Sequence, residues 1–245
     1  MLHDDRIQGP PENIVDDVTA VVFVVDNDPS MRAALEDLAG SVGLAVRLFA
    51  SPLEFLASQR PDAPGCLVLD VRLPGMSGLT FQKALPRMGV DLPVIFITGH
   101  GDIRMSVRAM KAGAVDFLIK PFQDQDLLDA IHAAIERNCE RRREAVFVAD
   151  LKERHITLTA RERQIMSLVV TGRANKQIAA ELTLSEMTVK VHRGQVMRKM
   201  LAGSLPELVR MADRLAGVHV NVAGDLYPGR SAGRAATLEY VVSNG

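Results

Sequence analysis

The fold of the first half of the chain is decided by one stretch of sequence, Val21-Val22-Phe23-Val24-Val25-Asp26-Asn27-Asp28. Five apolar residues, mostly β-branched, stop abruptly at three polar ones, which is typical of a buried strand that ends at the edge of a sheet. Three more short apolar runs end in the same way: residues 66–69 before Asp70, 94–97 before Thr98, and 117–119 before Lys120. Amphipathic segments of helical length separate the runs, so the sequence predicts alternating parallel strands and helices.

The sequence predicts five strands with helices between them. The strands are expected at residues 21–25, 45–49, 66–69, 93–97 and 114–119. The helices are expected at residues 29–42, 52–58, 79–88 and 104–112, with a longer helix beginning at Asp124 or Asp126. The predicted fold class is α/β, with a doubly wound, five-stranded parallel sheet. Ligands of such sheets bind outside the carboxyl ends of the strands, so the four polar endings should converge on one site.

The composition indicates a folded chain whose charge is unevenly distributed. Hydrophobic residues make up 47% of the 245 residues and the formal net charge is −1, which excludes a disordered chain. Residues 1–137 carry 19 acidic and 12 basic side chains, whereas residues 138–216 carry 9 and 15. Opposite charges in the two parts indicate two domains with different partners, and the basic one is the candidate for binding nucleic acid.

Changes of pattern along the chain predict its segments. We expect a flexible leader at 1–18, an α/β domain at 19–137, a helical linker at 138–155, a small all-α domain at 156–216, and a disordered tail at 217–245. No apolar stretch of the sequence reaches the ~18 residues of a membrane span, and its acidic start is unlike a secretion signal. Two cysteines are too few for a disulfide framework. We therefore expect a cytoplasmic chain with no membrane partner.

The polar strand endings have the chemistry of phosphoryl transfer. Asp70 is the candidate nucleophile, because a carboxylate can form an acyl phosphate when the gathering negative charge is neutralised. Mg²⁺ neutralises such charge and prefers carboxylate and other oxygen ligands, which Asp26 and its neighbours Asn27 and Asp28 supply. The other two endings provide a cation and a hydroxyl donor for phosphate oxygens, Lys120 and Thr98.

These residues resemble the receiver domain of bacterial two-component response regulators, over residues 20–137. The matching motifs are Val25-Asp26-Asn27-Asp28, Leu69-Asp70-Val71-Arg72-Leu73-Pro74-Gly75-Met76-Ser77-Gly78, Thr98-Gly99-His100-Gly101 and Phe117-Leu118-Ile119-Lys120-Pro121-Phe122. The resemblance implies a flavodoxin-like fold, phosphorylation of Asp70 by a sensor histidine kinase, and a Mg²⁺ site at Asp26, Asn27, Asp28, Asp70 and Arg72. It also implies that Thr98 and Phe117 reposition on phosphorylation, and that a cis peptide joins Lys120 to Pro121.

One residue departs from the pattern of this family. The second residue of the acidic pair is usually aspartate, and here it is Asn27. An amide oxygen still ligates Mg²⁺ but brings no charge, so the dependence on Mg²⁺ should be weaker. The alternative is an atypical receiver in a DNA-binding regulator that works without phosphorylation.

The basic part of the chain predicts a helix-turn-helix. Thr159 and Glu162 form a capping box at the start of a helix that Gly172 ends. A short helix follows at residues 175–182, and Ser185 caps a third helix that runs to about Met200. Two helices joined by a tight turn, the second of them basic, are the plan of a helix-turn-helix.

This segment resembles the LuxR-type helix-turn-helix of the FixJ/NarL regulators, over residues 156–215. The match rests on residues 172–179 and on Leu184-Ser185-Glu186-Met187-Thr188-Val189-Lys190-Val191-His192-Arg193. The resemblance implies that Lys176 and Thr188 contact the phosphate backbone of DNA. It also implies that four residues of the third helix face or flank the bases, namely Lys190, Val191, His192 and Arg193. Lys199 adds to the basic surface. Gly194 stands where some relatives have a longer polar side chain.

The combined prediction is a response regulator that acts as a transcription factor. The resemblance implies that phosphorylation of Asp70 favours a homodimer through the fourth helix and the fifth strand, and a dimer would match a roughly palindromic site in promoter DNA. The predicted partners are a sensor histidine kinase and promoter DNA, and RNA polymerase is kept as a further candidate. An aspartate-nucleophile phosphatase is the enzyme alternative, but it needs an acid where Arg72 stands, so we predict that the chain is not an enzyme. An adaptor that binds protein is the second alternative, which the surplus of basic residues disfavours.

Overall fold

The computed structural model describes residues 19–99 and 101–217. The predicted leader and all but the first residue of the predicted tail lie outside the described residues. The chain divides into two compact units between Arg142 and Arg143. The first unit contains the α/β pattern and the second contains the basic helices.

The first unit is built on the parallel sheet that the sequence predicts. Its strands are β1 (Val21–Val25), β2 (Ala45–Phe49), β3 (Gly65–Asp70), β4 (Val94–Thr98) and β5 (Asp116–Ile119). All neighbouring strands are parallel and the order is β2-β1-β3-β4-β5. After β1 the chain continues towards one edge of the sheet, and after β3 it continues towards the other edge. The two connections therefore diverge and leave a crevice at the carboxyl ends of β1 and β3. The predicted fold class is confirmed.

Helices cover both faces of this sheet. They are α1 (Pro29–Ser41), α2 (Pro52–Ala57), α3 (Gly78–Ala84), α4 (Ile103–Lys111) and the beginning of α5 (Asp124–Ile156). Alternate residues of each strand enter separate cores, with Phe23 and Leu67 on one side and Val22 and Cys66 on the other. Burial on both faces explains why the central strands β1, β3 and β4 are apolar up to their carboxyl ends. Cys66 is fully buried, and burial raises the pKa of its thiol to about 12.

The predicted helix at residues 79–88 is split in two. The α-helix ends at Ala84, and a short 3-10 turn follows at Leu85–Met88. Pro86 explains the change. Its ring clashes with the main-chain carbonyl four residues earlier, and its nitrogen has no N–H to donate to that carbonyl. The apolar periodicity continues through the proline although the α-helix does not.

The second unit is helical. It contains the end of α5, then α6 (Ala160–Val170), α7 (Asn175–Leu182), α8 (Glu186–Met200) and α9 (Leu205–Leu215). Its core joins all of these helices and includes Leu151, Ile165, Ile178, Val189 and Leu208. Residues 138–155 lie within α5 and are therefore helical. Within the described ranges, no helix is both long enough and apolar enough to cross a membrane.

Candidate functional sites

The four polar strand endings lie at one edge of the sheet. Asp26 follows β1, Asp70 and Thr98 end β3 and β4, and Lys120 follows β5. The strand register aligns them, because Asp70 pairs with Ile97, the residue before Thr98. The structure thus brings together residues that are up to 94 positions apart in sequence, as parallel strand ends require.

One ammonium group holds two carboxylates at this edge. Lys120 Nζ donates to Asp26 Oδ2 at 2.6 Å and lies 3.6 Å from Asp70 Oδ2. Asp26 is fully buried, Asp70 is 8% exposed, and the Lys120 side chain is 17% exposed. Because Lys120 is closer to Asp26, the charge of Asp70 is the less compensated of the two.

Main-chain N–H groups hold the other carboxylate oxygens. Asp26 Oδ1 accepts from the N–H of Asp28 at 2.8 Å, and Asp70 Oδ1 accepts from the N–H of Arg72 at 3.0 Å. The Arg32 guanidinium donates to the main-chain carbonyl of Asp26 at 2.7 Å. Arg32 is not among the residues predicted from the sequence, although its position in the first turns of the helix that Asp28 caps is a usable signal.

Burial makes Asp70 harder to ionise. Desolvation by burial raises the pKa of Asp70 above its usual value, and the nearby charge of Asp26 adds to the effect. The Arg72 N–H and the Lys120 ammonium work in the opposite direction without cancelling it. A buried carboxylate of this kind gains from a second cation, which is the electrostatic condition for binding a metal.

The other predicted metal ligands differ in exposure, in hydrogen bonding and in the donor atoms that they offer. Asn27 is exposed and lines a cleft that is also lined by Arg72. Asp28 Oδ1 caps α1 by accepting from the N–H of Ser30 at 2.9 Å, so the fold uses one of its two oxygens. Arg72 has a cationic side chain, so only its main-chain carbonyl could ligate. Within the described ranges, no three His, Cys, Asp or Glu side chains are arranged to hold a metal.

The donors that remain nevertheless fit Mg²⁺. Mg²⁺ takes one or two carboxylates and fills its octahedron with neutral oxygens and water. Asp26 and Asp70 could supply the two carboxylates, and the exposed Asn27 could supply a neutral amide oxygen.

The predicted switch residues Thr98 and Phe117 both lie close to Gly101. Thr98 is fully buried, and the Phe117 ring lies 6.2 Å from that of Phe96. A Cβ on Gly101 would lie 2.9 Å from Phe117 Cε1 and 3.1 Å from Thr98 Cγ2. The backbone at Gly101 therefore approaches both side chains closely only because this residue is glycine. The peptide between Lys120 and Pro121 is cis, as the resemblance implies.

The helix-turn-helix has the predicted caps and boundaries. Thr159 accepts from the N–H of Glu162, whose side chain accepts from the N–H of Thr159. Ser185 Oγ accepts from the N–H of Thr188 at 3.0 Å and begins α8. Thr183 has a left-handed backbone in the turn, with φ of 54°. Three residues of α8 face the core and are buried: Val189, Val196 and Met200.

The predicted DNA-contacting residues differ in exposure. Lys176, Lys190 and Val191 are exposed, whereas Thr188, His192 and Arg193 are half-buried. Arg193 Nη1 donates to Asn175 Oδ1 at 3.1 Å, which links α8 to the start of α7.

Lys199 has a structural role in the fold. Its Nζ donates to Glu162 Oε2 at 2.6 Å and to the carbonyl of Thr157 at 3.1 Å. Glu162 is 5% exposed. Burial works to raise the pKa of Glu162, but the hydrogen bonds from Lys199 and the Thr159 N–H outweigh it and hold this pKa below its usual value. The neighbouring Arg198 is exposed.

Comparison with known proteins identifies the family. The model of the response regulator receiver domain matches residues 22–132, and the model of bacterial regulatory proteins of the LuxR family matches residues 156–212. Nodulation protein W of Bradyrhizobium diazoefficiens is 57% identical over 202 residues, covering 82% of this chain and 88% of that protein. The chain belongs to the two-component response regulators with a LuxR-type DNA-binding domain.

Further relatives support the same assignment for this response regulator. The transcriptional regulatory protein FixJ of Azorhizobium caulinodans is 47% identical over 197 residues, covering 80% of this chain and 93% of that protein. The solved structure of the response regulator StyR is 47% identical, with a TM-score of 0.68, and covers 80% of this chain and 99% of that one. The response regulator is therefore a transcription regulator. Regulators of this kind partner with sensor kinases and bind promoter DNA, and their receiver domains generally bind Mg²⁺.

Proposed function

We propose that a sensor histidine kinase phosphorylates this response regulator on Asp70. The observation that carries the proposal is the position of Lys120 Nζ, 2.6 Å from Asp26 and 3.6 Å from Asp70. An Asp70 oxygen forms the bond to phosphorus while the bond from phosphorus to the donor's imidazole nitrogen breaks. Lys120 then neutralises a phosphoryl oxygen without moving far from Asp26.

The metal ligands in this proposal are the Asp26 and Asp70 carboxylates, the Asn27 amide and the Arg72 carbonyl. Mg²⁺, when bound there, neutralises charge on the phosphoryl oxygens. Asp28 keeps its cap on α1 and has one oxygen left for the ion or its waters. Since Asn27 brings no charge, we expect weaker Mg²⁺ binding than two adjacent aspartates would give.

The proposed switch runs from Asp70 to the face of α4 and β5. Thr98 donates its hydroxyl to the new phosphoryl group, and Phe117 repacks because both side chains lie close to the position that a Cβ on Gly101 would occupy. This face exposes large apolar side chains, including Ile103 at 83% and Ile119 at 51%. Exposed apolar residues on one face support dimerisation through α4 and β5.

The proposed output is binding of α8 in the major groove of promoter DNA. Lys176 and Thr188 contact phosphates, and the N-terminal half of α8 presents the other residues to the bases, namely Lys190, Val191, His192 and Arg193. We leave Lys199 out of this set because Glu162 and Thr157 engage its ammonium. A contact with RNA polymerase and the segment boundaries at 18, 137, 155 and 216 stay predictions.

The phosphorylation proposal is tested by incubating the full chain with acetyl phosphate and Mg²⁺ and measuring its intact mass. We expect an adduct of about 80 Da, the mass of one phosphoryl group. Asp70→Asn should give no adduct, and EDTA should lower the yield of the adduct in the unchanged chain. An unmodified chain that still binds its DNA would favour the phosphorylation-independent regulator instead. Steady release of phosphate from small phosphoesters would favour the phosphatase.

A further inference from the structure

One face of α8 presents apolar residues to solvent. Met187 is 68% exposed and Val191 is 56% exposed, and Gly194 and Arg198 are also exposed. Spacings of four, three and four residues place these positions on a single helical face. The opposite face is the buried one described above. The arrangement therefore puts an apolar surface at the centre of the helix face that points away from the core.

This surface has little capacity for hydrogen bonds. Valine and glycine side chains have no polar atom, and the methionine thioether is only a weak acceptor. A Cβ built on Gly194 would meet no heavy atom of the described chain within 4 Å, apart from its own turn of helix. The backbone at Gly194 can therefore approach a ligand closely. Polar base edges would gain nothing from Met187 or Val191.

Only one apolar group is available in the major groove of DNA. All base pairs present hydrogen-bonding atoms there, but the C5 methyl group of thymine is the single hydrophobic feature. We propose that Met187 and Val191 read thymine methyl groups, and that Met187 is a specificity-determining residue of this regulator. The inference rests on the proposed position of α8 in the major groove.

The geometry of α8 limits where these thymines lie. Met187 and Val191 are four residues apart, which is about 6 Å along the helix axis. Base steps are about 3.4 Å apart along a strand. The two thymines of a half-site should thus be adjacent or separated by one position.

The test uses the full chain treated with acetyl phosphate and Mg²⁺. Duplexes are first selected from a random library, and each thymine of a selected half-site is then replaced by uracil, which removes the methyl group and keeps every hydrogen-bonding atom. We expect one or two replacements to weaken binding about fourfold, the factor for one buried methyl-sized group. Met187→Ala should lose the sensitivity at one of these positions and keep it at the other.

Two further measurements make the result decisive. Val146→Ala, at a 70% exposed position on α5, should leave both affinity and uracil sensitivity unchanged. Met187→Ala should unfold at the temperature of the unchanged protein, because its side chain is mostly exposed. Equal binding of thymine and uracil at every position, or full sensitivity in Met187→Ala, would overturn the proposal. If no duplex with salt-dependent binding can be selected, the result would contradict the proposed position of α8 in the major groove.

Discussion

Two buried carboxylates, Asp70 in the first unit and Glu162 in the second, differ in how well lysine compensates them. Glu162 accepts from Lys199 at 2.6 Å and from the Thr159 N–H, and its pKa lies below the usual value. Asp70 lies 3.6 Å from Lys120, which is bound more closely to Asp26, and burial raises its pKa. A compensated carboxylate stabilises a fold, whereas an undercompensated one is available for chemistry.

The largest effect should follow from removing the shared cation of the first unit. Lys120→Met leaves the fully buried Asp26 without its ammonium partner, so we expect a loss of about 3 kcal/mol in the free energy of unfolding of this unit. Hydrogen exchange measured on β1 and β3 peptides would report the loss separately from the second unit. Lys83→Met, at an exposed position of α3, is the matched control and should change protection little.

The pair in the second unit should also be structural, with a smaller effect. Glu162→Gln leaves Lys199 without a charged partner, and we expect α6 and α8 to lose about 2 kcal/mol of stability at neutral pH. Because the folded pKa of Glu162 is lowered, its contribution is present above the unfolded pKa and is lost as pH falls through the folded one. Hydrogen exchange as a function of pH measures this, and an equal loss at every pH would contradict the role of the ion pair.

Asp70 should show the opposite pH dependence. Its folded pKa is raised, so its ionisation costs stability as pH rises from the unfolded pKa through the folded one. Asp70→Asn should therefore make the first unit more stable at neutral pH while abolishing phosphorylation. A less stable variant would show that the Asp70 carboxylate is better compensated than its surroundings suggest. Exchange protection of β3 at several pH values is the measurement.

Substitution of Lys190 should affect DNA binding, whereas substitution of Lys199 should affect stability. Lys190 is exposed on α8, so Lys190→Ala should leave the unfolding temperature unchanged and make the slope of log affinity against log salt about one unit shallower. Lys199→Ala should lower the unfolding temperature instead. A salt series of DNA titrations with both variants checks this, and equal affinity of Lys190→Ala and the unchanged protein would remove Lys190 from the interface.

The smallest effect should come from Gly194. Its position in the middle of α8 leaves open space for a Cβ, so Gly194→Ala should stabilise the second unit by about 0.5–1 kcal/mol through helix propensity. Urea denaturation followed by circular dichroism measures the change. Destabilisation would mean that the outward face of α8 packs against something in the folded chain.

The fold was predictable where the determining interactions are local. Helix caps such as those at Thr159 and Ser185 depend on residues three positions apart, and both were found at the predicted residues. The convergence of Asp26, Asp70 and Lys120 was also predictable, because parallel strands end at one edge. Apolar periodicity was a weaker guide to where a helix ends, because Pro86 ended α3 although the periodicity continues past it.

The roles of single charged side chains were less predictable. Lys199 was predicted to lie at a DNA surface, yet its partner Glu162 is 37 residues away in sequence. Nothing in a basic amphipathic helix distinguishes a lysine that pairs with a buried glutamate from one that faces solvent. Arg32 was missed for a different reason: its place in the helix that Asp28 caps was a signal, but its acceptor is a main-chain carbonyl that any residue carries.

The burial of Cys66 has a practical consequence. The chain has two cysteines, and Cys66 is fully buried in the sheet with its thiol pKa raised to about 12, whereas Cys139 is half-buried on α5. Only the thiolate reacts with alkylating reagents, so a maleimide dye should attach to Cys139 alone while the sheet stays folded. The unaltered protein thus carries a single addressable position for fluorescence on α5. In the same experiment, the rate at which Cys66 is slowly labelled would measure how often the sheet opens.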